Sequence, residues 1–118
     1  MNNTLTEITH GFEYCIEKIF AGLSHNAKQI NLEFASTQAS LLREIIEKLN
    51  EYLEDSYPLT FYKESVTHAS DTLREYFTKK LNGQEISYSI DDLKVFVHYI
   101  ELVIRTILRN SKAQPSVH

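Results

Sequence analysis

Eleven of the sixteen residues from Leu93 to Leu108 are apolar or aromatic, in a chain of 118 residues that has only two prolines and three glycines. At about 100° per residue, Leu93, Phe96, Val97, Ile100, Val103, Ile104, Ile107 and Leu108 fall on one broad helical face. Val95, Tyr99 and Leu102 widen that face around the side, and Lys94, His98, Glu101, Arg105 and Arg109 make the polar stripe that remains. An ordinary surface helix carries an apolar arc of little more than about 100°. Here the arc exceeds half the circumference, so the helix is either wrapped by its own chain on several sides or meets another protein. Its start is marked as well. Ser89 with Asp92 three residues on is a capping-box-like pair, and Asp91 and Asp92 place negative charge at the positive end of the helix dipole.

The scarcity of glycine and proline favours long helices elsewhere too. A first helix is predicted over 4–23, with Leu5, Ile8, Phe12, Ile16, Ile19, Phe20 and Leu23 on one face and Cys15 at its edge. Residues 22–26 (GLSHN) read as a turn, with Ser24 or Asn26 as the next N-cap. A second helix follows over 27–54. Ile30, Phe34, Leu41, Ile45, Leu49 and Tyr52 are its predicted buried face, broadened by Leu42, Ile46 and Leu53. The pairs Phe34/Leu41, Ile45/Tyr52, Leu42/Leu49 and Ile46/Leu53 recur at seven residues, a spacing suited to shallow-angle packing. Between them, residues 35–40 (ASTQAS) are small and permit close backbone approach or a bend. Pro58 closes this helix, because the residue before a proline is pushed out of the helical region. A third helix over 59–81 presents Leu59, Tyr62, Val66, Ala69, Leu73, Tyr76, Phe77 and Leu81 on one side, and Asn82-Gly83 stops it. After Arg109 the sequence NSKAQPSVH is polar.

Four amphipathic segments with short connections predict an all-α, up-down-up-down four-helix bundle over 1–110 with a flexible tail over 111–118. The alternative is a dimeric three-helix arrangement in which the first two helices fuse into one long rod. Other classes are disfavoured by composition. The net charge of −4 gives no electrostatic gain on a phosphate backbone, so no nucleic acid is expected as partner. No run approaches the length of a membrane span, so no integral membrane association is expected. The single cysteine, Cys15, forms no internal disulfide, and MNNTLTEI lacks the basic and apolar regions of a secretory leader. A cytoplasmic location is the expectation.

Bundles often hold metals between their helices, and Glu7-Ile8-Thr9-His10 has the Glu-x-x-His spacing of di-iron carboxylate proteins. That chemistry needs the motif twice with all ligands pointing inward. Glu7 and His10 fall opposite the apolar face of their helix, Glu64 and His68 do the same on theirs, and His98 sits in a charged stripe. No metal or other cofactor is expected. In histidine phosphotransfer domains the reactive histidine is followed closely by lysine and glycine. His68-Ala69-Ser70-Asp71 and His98-Tyr99-Ile100-Glu101 lack both, and Asp71 and Glu101 would repel a phosphoryl group. Cys15 borders an apolar face near Glu13 and Glu17, surroundings that raise a thiol pKa. With no phosphate-cradling glycine loop and no nucleophile elbow either, the chain is not expected to be an enzyme.

Two surface features remain. Glu33, Glu44, Glu47, Glu51 and Glu54 share a limited arc of the second helix, with Arg43 near one edge. That arc suits a basic partner. The surplus apolar arc Val95, Tyr99 and Leu102, joined by Phe61, suits a protein partner or a second copy. The expected partner-binding residues are therefore Val95, Tyr99, Leu102, Phe61, Glu44, Glu47, Glu51 and Glu54, in a helical adaptor, chaperone, inhibitor or immunity-type module. Residues 31–40 (NLEFASTQAS) resemble the helices of phasins, small proteins that coat storage-polymer granules. The resemblance covers ten residues and gives none of them a role. It adds a second expectation, an amphipathic scaffold on an apolar ligand or granule surface.

Overall fold

The computed structural model describes residues 3–53 and 57–113. Among these the chain forms four helices and no strand: α1 (Asn3–Gly22), α2 (Gln29–Leu53), α3 (Tyr57–Leu81) and α4 (Ile90–Ala113). Each packs on its neighbour in sequence, and α4 returns to α1, while α1 and α3, like α2 and α4, lie diagonally across the bundle. The result is the expected up-down-up-down bundle, 53 Å long and 24 × 19 Å in section. With four antiparallel helices, the start of α1, the end of α2, the start of α3 and the end of α4 share one pole.

Local chemistry accounts for the helix ends. The Ser89 hydroxyl accepts from the Asp92 N–H at 3.1 Å, and its carbonyl accepts the Leu93 N–H, so Ser89 caps α4 as its sequence implies. Gly83 has φ +67°, with the Gln84 N–H on the Lys79 carbonyl at 2.9 Å and its own N–H on Lys80. This is a Schellman stop, built on the residue type that enters the left-handed region without strain. The turn between α1 and α2 separates the two helices, which removes the long-rod alternative. Neither proposed cap starts α2, however. The first bond of that helix runs from the Leu32 N–H to the Lys28 carbonyl, and Ser24 instead accepts from the Asn26 N–H within the turn. Pro58 stands in the first turn of α3, where its missing N–H leaves no bond unmade. At the other end α4 runs past Arg109 to Ala113, since Asn110-Ser111-Lys112-Ala113 contains no breaker.

The core is built from Leu5, Ile8, Phe12, Ile16, Ile19 and Leu23 of α1, Val66, Leu73, Tyr76 and Phe77 of α3, and Leu93, Val97, Ile100, Ile104, Ile107 and Leu108 of α4. These are most of the predicted faces; Tyr62 is partly exposed, Phe20, Leu81 and Phe96 are half-buried, and the side chain of Leu59 lies outside the described residues. On α2 the expectation holds for Leu42, Ile46 and Leu49 and fails for the rest of the face. The buried residues are Leu32, Ala35, Gln38, Ala39, Leu42, Ile46 and Leu49. Ile30, Phe34, Leu41 and Tyr52 point outward, and Ile45 is half-buried. The helix is turned so that its small residues meet α1. A Cβ on Gly22 would lie 2.5 Å from the Ala35 Cβ and 2.9 Å from the Phe77 ring, so two backbones pass here without intervening side chains.

Candidate interaction faces

The polar stripe of α4 is spent on the seam with α1. Arg105 donates to Glu101 at 3.0 Å on its own helix and to Glu13 on α1 at 3.2 Å, and its guanidinium lies 5.8 Å from the Phe12 ring centroid. His98 packs on Phe20 with 5.2 Å between centroids and faces Glu101 at 3.7 Å. His10, His25 and His68 are exposed as well, and no group of three metal-ligating side chains converges among the described residues. His68 shares the outer side of α3 with Glu64 and Asp71, and Asp71 is paired with Arg43 of α2 at 3.3 Å. Cys15 is buried. Its thiol donates to Gln38 Oε1 at 3.2 Å, and burial pushes its pKa up to about 11, away from the thiolate a nucleophile requires.

The surplus arc of α4 lies in solvent. Val95 is 63% exposed and Leu102, two turns along, 69% exposed. Tyr99 between them is half-buried because its hydroxyl meets that of Ser65 on α3 at 2.6 Å. This bond sets the local register of α3 against α4, and it brings Phe61, one turn before Ser65 and 65% exposed, to the Leu102 side of Tyr99. Phe61 stacks edge-on with Tyr62 at 4.9 Å. The four apolar residues singled out in the sequence thus share the α3–α4 face.

The acidic residues are less uniform than their spacing suggests. Glu47 is tied to Lys63 of α3 at 3.3 Å, whereas Glu44 and Glu51 are exposed and make no ion pair among the described residues. Glu33 accepts from Gln29. Glu54 lies outside the described residues.

Sequence reasoning missed a second apolar face, because it assigned those residues to the core. Ile30 (57% exposed), Phe34 (48%), Leu41 (39%), Ile45 and Tyr52 run along the outside of α2. Beside them, between α1 and α2, lies a groove of about 550 Å³ lined by His10, Gly11, Tyr14, Leu41, Glu44, Ile45 and Lys48, with Cys15 and Gln38 beneath. Gly11 opens it. A Cβ there would only touch the tip of Ile45, at 3.4 Å, so the missing side chain leaves a notch next to Tyr14. The signal available in the sequence was a glycine in the middle of an otherwise strong helix. Because α2 and α4 are diagonal partners, their two apolar faces look in opposite directions.

No known protein family, curated protein or solved structure matches the chain. Among the described residues no helix is long and apolar enough to cross a membrane.

Proposed function

We propose that this chain is a non-enzymatic helical interaction module of adaptor type, working in the cytoplasm and binding a protein partner through Val95, Tyr99, Leu102 and Phe61. The observation that carries the reading is the outer side of α4. Two large aliphatic residues stand more than three-fifths exposed, two turns apart, around a tyrosine fixed by Ser65. Anchors at i, i+4 and i+7 are the recognition pattern by which helices dock in grooves or against each other. A free-standing monomer gains nothing from aliphatic groups at those positions, and contiguous exposed apolar patches mark interaction sites. The exposed acidic residues Glu44 and Glu51, beside the Lys63-bound Glu47, add a surface for a basic partner, whose approach electrostatic attraction would speed.

The test is a double substitution, Val95→Glu with Leu102→Glu. Since both side chains are already solvated, helicity and melting temperature should stay within a few degrees of wild type. Capture of the partner from source cells by the immobilised protein should be lost. Unfolding of the variant, or capture at wild-type yield, removes the α3–α4 face as the docking surface.

A further inference from the structure

We infer that the α1–α2 groove is a second docking site, and that its occupant is an amphipathic helix with a basic flank, contributed by a different protein. The inference rests on the interaction-module reading and concerns a face that points away from Val95 and Leu102.

The shape argues for a helix. Ile30, Phe34, Leu41, Ile45 and Tyr52 recur at intervals of four, seven, four and seven, which is eleven residues per three turns. A stripe of that period drifts by only about 20° per repeat, so over two repeats all five side chains stay within about 60° of arc. The exposed stripe therefore runs some 33 Å along α2 at 1.5 Å per residue, and the groove walled on its other side by Tyr14 of α1 occupies its middle, from Gln38 to Lys48. A compact ligand would use a fraction of the stripe; a helix of about six turns uses all of it. The Gly11 notch gives one large apolar anchor of that helix a place to insert, against Ile45 and Leu41. Buried anchors of this kind dominate helix-in-groove binding.

Charge decides whose helix it is. Residues 1–58 carry four Lys/Arg against nine Asp/Glu, a balance of −5. Along the stripe, Glu33, Glu44 and Glu51 are exposed; Lys48 lies among them, and Lys18 of α1 sits over the Tyr14 ring at 5.3 Å. A second copy would set this acidic edge against itself. A helix with lysine or arginine beside its apolar stripe is complementary in both respects, and its approach would be steered by the field of the acidic side.

A fluorescein-labelled helical peptide of about 20 residues, leucine on one face and lysine on its flanks, provides the probe, titrated with the full-length protein and followed by anisotropy. The controls are the same peptide with glutamate for lysine, and a scrambled order that abolishes the apolar face. The expected result is saturable binding of the lysine peptide alone, weakened by raised salt. Gly11→Leu, which fills the notch, and the exposed pair Glu44→Lys with Glu51→Lys should each weaken binding about tenfold or more. Val95→Glu with Leu102→Glu should leave it unchanged. No binding, equal binding of the glutamate or scrambled peptide, or binding indifferent to both groove variants overturns the inference. Binding lost only with the Val95 and Leu102 variants also overturns it, while leaving the interaction-module reading standing. A concentration-dependent dimer in sedimentation, dissociated by Leu41→Glu, would assign the groove to a second copy and likewise sink the proposal.

Discussion

Gly22→Ala is the most informative single substitution in the fold. On propensity alone alanine should help, by up to about 1 kcal/mol in a helix interior and less at the last residue of α1. The structure predicts the opposite sign. The new methyl carbon would sit 2.5 Å from the Ala35 Cβ and 2.9 and 3.3 Å from two Phe77 ring carbons, against an ordinary carbon–carbon contact of about 3.5–4.0 Å. Ala35 has no rotatable bond with which to yield, and Phe77 is completely buried. Relief therefore requires α1 and α2 to separate by about 1 Å over their closest approach. Overpacking of this kind costs about 1–3 kcal/mol, so with the propensity gain subtracted the net loss should be about 1–2 kcal/mol. For 118 residues at about 2.1 cal/mol/K each, unfolding entropy is near 0.25 kcal/mol/K, and the melting temperature should fall by about 4–8 °C. Calorimetry or thermal circular dichroism reads this directly. Adding Ala35→Gly removes the shortest contact, so the two substitutions should couple favourably by about 1 kcal/mol in the cycle, although glycine's own cost inside α2 offsets the recovery. Gly11→Ala is the internal control: its Cβ meets only the mobile tip of Ile45 at 3.4 Å, and it should be neutral or stabilising. A Gly22→Ala protein that melts at or above the wild-type temperature would refute the close approach of the two backbones.

Three further outcomes follow from the described geometry. Because the Cys15 thiol is held protonated to about pH 11 in the fold and ionises near 9 when exposed, the folded state keeps a proton that the unfolded chain has lost between those values; stability should fall as pH rises through that window, by on the order of 2 kcal/mol. Cys15→Ala should lack that part of the decline when melts at pH 8 and 10.5 are compared. Ser70 is fully buried and its hydroxyl has no partner among the described residues, so Ser70→Ala should raise stability in urea denaturation by about 1 kcal/mol. Ser89→Ala removes the cap of α4 and should lower stability by about 1 kcal/mol, with faster amide exchange confined to the first turn of that helix.

How far the sequence leads depends on where the bulk lies. On α4 the large side chains are the buried ones from Leu93 to Leu108, the capping serine is explicit, and even the surplus arc comes out where the helical wheel puts it. On α2 bulk misleads. Leu42, Ile46 and Leu49 are inside as expected, but Ile30, Phe34, Leu41 and Tyr52 are displaced from the core by Leu32, Ala35, Gln38 and Ala39. The reason is tertiary: Gly22 draws α1 so close at Ala35 that only a small residue of α2 fits there. The segment 35–40 advertised that close approach, but not which helix would make it. Likewise the spacing of the acidic residues locates their stripe, while the fact that Lys63 neutralises Glu47 depends on the placement of another helix. The groove at Gly11 needed both α1 and α2 in place before it existed.

An even number of antiparallel rods brings the chain back to the pole from which it set out, so residues 3 and 113 lie at the same tip of the bundle. A fusion, a label or an attachment to a solid support at either extremity therefore crowds one tip of a 53 Å spindle and leaves its two opposite flanks open to simultaneous capture.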